Sequence, residues 1–336
     1  MGAKSSIEWT DASWTPIRAR VKEDAADIAR ARGYASLVQI LEARKPNGEL
    51  RVPPGKIGPH CEHCSPGCEN CYSETNNGRC LPANGTGLPF DRRVRDLVDL
   101  FLDETILVQP LHWKRPRRIF VCSQTDLFGD FVADEMIDRV CAVMALCPQH
   151  TLQVLTKRAE RMWEYFWSPD VRYRIAATAE VLGRRLVPRW ANHVWKSPSS
   201  IWPMYNVWLG VSVEDVERKA RMRFLRSTPA AVRFVSFEPL IEELGELDLR
   251  GIDLAIWGGE SGPGARPCDL EWIRNGMKQA KRDGCLNFVK QVGAHPYPGR
   301  LGSGRMPEIA FKHRKGGDPA EWPEDLRVRE APGTKL

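Results

Sequence analysis

No stretch of this chain stays apolar for the roughly 20 residues that a membrane-spanning helix needs. The first six residues, Met1-Gly2-Ala3-Lys4-Ser5-Ser6, contain no apolar core of a secretory signal, so the expected compartment is cytoplasmic. Disulfides are therefore not the expected use of its cysteines, because cytosolic thiols stay reduced and serve metals or catalysis. Charge of one sign is also not in great excess: the net charge of +6 is mildly basic, which permits an anionic partner without requiring one. What the chain has is length and apolar content. Its 336 residues, 42% hydrophobic, suffice for two average domains or one large α/β barrel.

The stretch that stands out is His60-Cys61-Glu62-His63-Cys64-Ser65-Pro66-Gly67-Cys68-Glu69-Asn70-Cys71-Tyr72. It places four of the ten cysteines within eleven positions, Cys61, Cys64, Cys68 and Cys71. The other six are scattered and read mostly as small buried hydrophobes. Four thiolates would satisfy structural zinc. However, zinc ribbons separate their two Cys pairs by about a dozen residues or more, and here only Ser65-Pro66-Gly67 intervenes. A zinc deaminase signature is echoed by His60-Cys61-Glu62 and Pro66-Gly67-Cys68-Glu69-Asn70-Cys71, but its His and Cys pair come from separate elements. Three intervening residues cannot build those, so that reading is rejected. Closely spaced thiolates on one loop do suit an iron–sulfur cluster.

Along the chain, Ile7-Glu8-Trp9 reads as a first strand and residues 22 to 45 as helical, interrupted near Gly33. Turn chemistry at 45 to 56 delivers the chain to the cysteines. A helix is expected from 69 to 78, and a longer one through Val94, Leu97, Val98, Leu100 and Leu102. Six apolar runs then follow, starting near 118, 151, 207, 232, 254 and 286, spaced by helical segments and by a Trp/Pro/Ser-rich connection before 205. Such runs mean βα units and a parallel sheet buried on both faces. The expected fold is an α/β full or partial (β/α) TIM-type barrel over 1–295, with a cluster-bearing loop at about 17–72 and a C-terminal extension from 296 to 336. A doubly wound open sheet is the alternative. The six strands end in Asp126, Lys157 and Arg158, Glu214, Glu238, Gly258-Gly259-Glu260, and Lys290, where βα loops build active sites.

The spacing Cys64-x3-Cys68-x2-Cys71 resembles that of the radical S-adenosylmethionine (SAM) superfamily. There three cysteines hold a [4Fe-4S] cluster whose open iron chelates SAM, and one-electron reduction yields a 5′-deoxyadenosyl radical. The chain as a whole resembles a phage-associated family of unknown function, the "gp thirty-seven / gp sixty-eight" family, which carries a three-cysteine motif. The matching pieces include Ile7-Glu8-Trp9-Thr10-Asp11, Ser65-Pro66-Gly67-Cys68-Glu69-Asn70-Cys71-Tyr72, Thr125-Asp126-Leu127-Phe128 and Val154-Leu155-Thr156-Lys157-Arg158. Also matching are Phe237-Glu238-Pro239-Leu240, Gly258-Gly259-Glu260-Ser261-Gly262 and Phe288-Val289-Lys290-Gln291. In that family the first cysteine falls at Cys61 and the position of Cys64 is usually apolar. The resemblance thus implies Cys61, Cys68 and Cys71 as metal ligands, with Cys64 a bystander or substitute.

By analogy with radical SAM folds, Asp126, Glu214, Glu238 and Glu260 would hydrogen-bond the cofactor. Lys157 and Lys290 would take its carboxylate or a substrate phosphate, and Gly258 and Gly259 would let backbone come close. Each has a plainer reading as an ion pair or a turn. No catalytic residue is assigned from the sequence. The resemblance implies a radical SAM enzyme acting on a nucleotide or nucleic acid, served by a reductant of flavodoxin or ferredoxin type. The alternative is a zinc- or cluster-stabilised nucleic-acid-binding protein without redox chemistry.

Overall fold

The computed structural model describes residues 7–80, 85–186, 202–301, 304–305 and 307–333. Strand β1, Ala12–Trp14, opens the chain and is followed by β2, Ile17–Val21. Helices α1, Ala25–Ala31, and α2, Ala35–Glu42, come next, then β3, Ile57–Gly58, the cysteine loop, and α3, Tyr72–Gly78. Strand β4, Val98–Leu102, and the single turn α4, Glu104–Leu107, lead to a regular alternation. That alternation runs β5, Arg118–Val121; α5, Asp134–Ala145; β6, Thr151–Thr156; α6, Ala159–Trp167; and α7, Val171–Leu186. It continues with β7, Val207–Ser212; α8, Arg221–Ser227; β8, Val232–Phe237; β9, Leu254–Gly258; β10, Cys268–Asp269; α9, Leu270–Arg282; and β11, Leu286–Gln291. The connection expected before 205 lies largely outside the described residues.

Seven strands form one parallel sheet in the order β1-β5-β6-β7-β8-β9-β11, curled into a half-barrel that β1 and β11 do not close. The barrel expectation therefore holds in its partial form. Strand alternation sorts the apolar runs onto two faces. Ile119, Val121, Leu152, Val154, Val235 and Trp257 pack outward against the helices. Phe120, Trp208, Phe234, Leu254, Ile256 and Phe288 fill the inside of the curl. Gly210 is glycine for a steric reason: a Cβ there would stand 2.4 Å from the Phe234 ring that lies across it.

Two elements differ from expectation. Ile7-Glu8-Trp9 is not the first strand; Trp9 instead plugs the inside of the curl, its ring 4.8 Å from that of Phe120 and 5.6 Å from that of Phe234. Strand β1 begins at Ala12 and pairs with β5. The helix expected through 94 to 102 is a 3-10 turn over Arg92–Leu97 followed by β4. Strand β4 pairs antiparallel with β2 along its full length, which supplies the backbone partners that helix bonds would otherwise have provided.

The segment expected as a long loop is a folded insert. A three-stranded antiparallel sheet, β3-β2-β4, packs with α1 and α2 around a core of Val21, Ala29, Leu37, Leu41, Leu97 and Val98. Gly33, at φ +70°, makes the break between the two helices. At the other end, the C-terminal extension closes over the free edge of β11. Val289 N–H donates to Val328 O at 2.8 Å and Glu330 N–H to Asn287 O at 2.9 Å. Trp322 and Leu326 bury themselves there. A paired edge is no longer a template for another chain. Among the described residues no helix is long and apolar enough to cross a membrane.

Candidate functional site

The cysteine loop crosses the C-terminal mouth of the half-barrel and is tied down from four strand ends. On the β5 side, Thr125 Oγ1 donates to His60 O, Tyr72 Oη to Ser123 O, and Ser73 Oγ to Gln124 O at 3.0 Å. From the end of β6, Arg158 Nη2 donates to Glu62 O at 2.9 Å. Asp126 sets that arginine, accepting from Arg158 Nη1 at 3.1 Å, Thr156 Oγ1 at 2.6 Å and the Lys157 N–H at 3.0 Å. Glu62 is buried and receives both arms of Arg95 from the insert, at 2.8 and 2.7 Å. Burial pushes its carboxyl up, but hydrogen bonds from His60 and Arg95 outweigh that and hold it down at about 2.

From β7, the fully buried Glu214 accepts from Ser65 Oγ at 2.7 Å, pairs with Lys157, and receives Arg221 Nη1 at 2.8 Å. Gly67 lies flat on this carboxylate: a Cβ at Gly67 would come 2.5 Å from Glu214 Cγ. From the end of β9, Glu260 takes the Arg266 guanidinium at 2.6 and 2.9 Å and Asn70 Nδ2 at 3.0 Å. Arg266 reaches on to Pro66 O at 3.1 Å.

The strand-end residues named from the sequence are thus gathered at one mouth, in three arrangements. Asp126, Lys157, Glu214 and Glu260 hold the loop. Glu238 and Lys290 bind each other, Lys290 Nζ donating to the two carboxylate oxygens at 2.6 and 2.8 Å. Gly258 lies between that pair on β9, and Gly259 is packed against Val292 O and Cys268. Sequence reasoning missed Arg266, Arg221, Ser65, Asn70 and Arg95. The run Gly258-Gly259-Glu260-Ser261-Gly262-Pro263-Gly264-Ala265-Arg266 offered one usable signal, a cation six residues beyond the acid.

Of the four loop thiols, Cys68 is buried, Cys61 and Cys71 half-buried, and Cys64 exposed. Burial, and then the Asp126 charge, pushes the Cys61 thiol up; burial does the same to Cys71. Cys61, Cys68 and Cys71 lie within electrostatic range of one another. Cys64 donates to Cys68, which lowers the latter, helped by the charge of Lys157. Among the described residues no three His, Cys, Asp or Glu side chains are gathered around one point as a single ion requires. The donor chemistry nevertheless fits an iron–sulfur cluster, for which soft thiolates are the ligands. Charge agrees as well: Lys157 and Arg221 share the one carboxylate of Glu214 and Arg158 is matched by Asp126, which leaves one positive charge in excess among the groups in electrostatic range of the thiols. That cationic surplus suits an anionic group at the cysteines.

The family model of proteins of unknown function DUF5131 matches residues 57–315. The chain belongs to that family. The match begins at β3 and takes in the cysteine loop and strands β5 to β11, while α1 and α2 fall outside it. No curated protein and no solved structure matches the chain.

Proposed function

We propose that the chain is an iron–sulfur enzyme of the radical SAM kind, with Cys61, Cys68 and Cys71 as cluster ligands. The observation that carries this reading is the thiol loop lying across the open mouth of a parallel half-barrel, with surplus positive charge facing the sulfurs. When bound there, a three-thiolate [4Fe-4S] cluster would supply an electron to SAM held at its open iron. An external reductant of flavodoxin or ferredoxin type is then the required partner. The protein's own part is to hold the thiols: Arg158 and Arg266 fix backbone on either side of Cys64, at Glu62 and Pro66, and Glu214 seats Ser65 and Gly67. Cys61 is named as the third ligand on the family resemblance and because it is half-buried where Cys64 is exposed; Cys64, which donates to Cys68, is the competing candidate.

A nucleotide or nucleic acid remains the proposed substrate class, though the mouth itself does not argue for a phosphate. Arg158, Arg266, Lys157 and Lys290 each face an acidic partner there. The deciding experiment is anaerobic reconstitution: about four irons per chain and dithionite-dependent release of 5′-deoxyadenosine from SAM are expected. Colourless protein that binds one zinc and leaves SAM intact would overturn the reading.

A second reading, nucleic-acid binding without redox chemistry, draws on the run Lys114-Arg115-Pro116-Arg117-Arg118 before β5. There Lys114 and Arg115 are exposed and Arg117 stacks 4.9 Å over Trp113. It requires polynucleotide binding that weakens steeply with salt and persists without SAM or reductant.

A further inference from the structure

Four thiols stand in the loop, and the cluster proposed above takes three of them. The thiol left over, Cys64, is exposed and lies against a ligand: it donates to the Cys68 sulfur.

Local backbone makes that contact. Pro66–Cys68 is a single 3-10 turn with the proline at its start, where a fixed φ and a missing N–H are no loss. Cys68 N–H donates to Ser65 O at 2.9 Å, and the Cys64 and Ser65 N–H groups point at the Cys68 sulfur. Ser65 Oγ stands 3.8 Å from that sulfur. The chain therefore folds Cys68 back over Cys64. The turn is also clamped, because Arg158 holds Glu62 O, Arg266 holds Pro66 O, and Gly67 lies on Glu214. The other two sulfurs are turned elsewhere. Cys61 donates to Glu62 O at 3.9 Å, and Cys71 accepts the Ser73 and Glu74 N–H groups at the start of α3.

We propose that Cys64 and Cys68 are a redox pair, closing in the cluster-free chain to a reversible disulfide that blocks cluster loading. The oxidant is a low-molecular-weight disulfide of the glutathione class. Both S–H bonds of the pair break and one S–S bond forms between Cys64 and Cys68. The two protons and two electrons released reduce the small disulfide to two thiols. Access fits the step, since Cys64 meets solvent while Cys68 is only 8% exposed. A disulfide closing so short a loop at the surface belongs to the labile, regulatory kind, and thiol reductants reopen it. Cys68 is a ligand whether Cys61 or Cys64 completes the trio, so tying it up blocks either set. That consequence rests on the cluster reading above; the disulfide itself does not.

The test uses the full chain, cluster-free and reduced, placed anaerobically in glutathione buffers of rising oxidised fraction. Free thiols are then blocked with N-ethylmaleimide and the denatured chain is cut after glutamate. The fragment His63 to Glu69 contains Cys64 and Cys68 and no other cysteine, so its mass reports the pair directly. Oxidised wild type should give this fragment unlabelled and two hydrogens light, and dithiothreitol should restore both labels. In Cys64→Ser, Cys68 should stay free to label throughout. Cluster transfer from a loaded iron–sulfur carrier protein, without added thiol, should fall about tenfold or more in oxidised wild type. The same transfer to Cys64→Ser should not change with glutathione. Both labels retained in every buffer, a cross-link to Cys61 or Cys71 instead, or transfer indifferent to the disulfide would each overturn the proposal. A reversible Cys64–Cys68 disulfide in a chain that takes no cluster even when reduced would sink the cluster reading alone. Cluster uptake by a chain that never forms the disulfide would sink this proposal alone.

Discussion

The two flanks of the cysteine loop are held by different means. Upstream, at His60 to Cys64, the grip is mixed: Thr125 takes His60 O and Arg158 takes Glu62 O, while Arg95 holds the Glu62 carboxylate. Downstream, at Ser65 to Cys71, the grip falls mainly on side chains and packing: Ser65 and Asn70 donate to Glu214 and Glu260, Gly67 fits only because it has no Cβ, and Arg266 adds a hold on Pro66 O. A backbone grip tolerates a change of residue; a side-chain grip does not.

The comparison breaks most severely at Glu214. Replacing it by alanine leaves the half-buried Lys157 and Arg221 without their shared carboxylate, and removal of one side of a buried pair costs up to about 3–5 kcal/mol. Chemical denaturation of Glu214→Ala should show that loss in the midpoint at an unchanged slope. A midpoint shift near zero would mean that the downstream grip is not what orders this region.

Next comes Gly67→Ala, whose new methyl meets Glu214 inside contact distance; overpacking of this kind costs about 1–3 kcal/mol. Cys64→Ser, on the exposed upstream flank, should stay within about 0.5 kcal/mol. Iron analysis on reconstituted protein sharpens the contrast. Gly67→Ala and Cys61→Ser should lose the cluster, and Cys64→Ser should keep it. Retention in Cys61→Ser together with loss in Cys64→Ser would reverse the assignment of the third ligand.

Much of this scaffold was legible beforehand because parallel strands buried on both faces must be continuous apolar runs, and all six runs from 118 onward became strands of the one sheet. The first strand was misjudged because an apolar Ile7-Glu8-Trp9 suits a plug as well as it suits a strand. The 94 to 102 segment was misjudged because alternation over five residues also satisfies a helical pattern, and only pairing with β2 decides. At the site, the letters located the strand-end acids but not what they hold. Nothing local tells that Glu260 faces Arg266 and Asn70 while Glu238 faces Lys290, since those partners arrive from elsewhere in the fold. The insert's separate core was hidden for the same reason: Val21, Leu37 and Val98 meet only in three dimensions.

The smallest expected effect concerns acid. Burial would raise the Glu260 carboxyl, but Arg266 and Asn70 bind its charged form and bring it below its ordinary 4.5. A carboxylate depressed by folding adds stability that is fully present above its unfolded value and is lost as pH falls through the folded one. The stability advantage of wild type over Glu260→Gln should therefore be constant from neutral pH down to about 5 and shrink steadily below. Hydrogen exchange should show the downstream amides, Cys68 to Cys71, losing protection over that same acid window in wild type. If the advantage were instead flat through the acid range, the Arg266 clamp would act through shape rather than charge. The downstream flank would then differ from the upstream one only in which atoms are gripped.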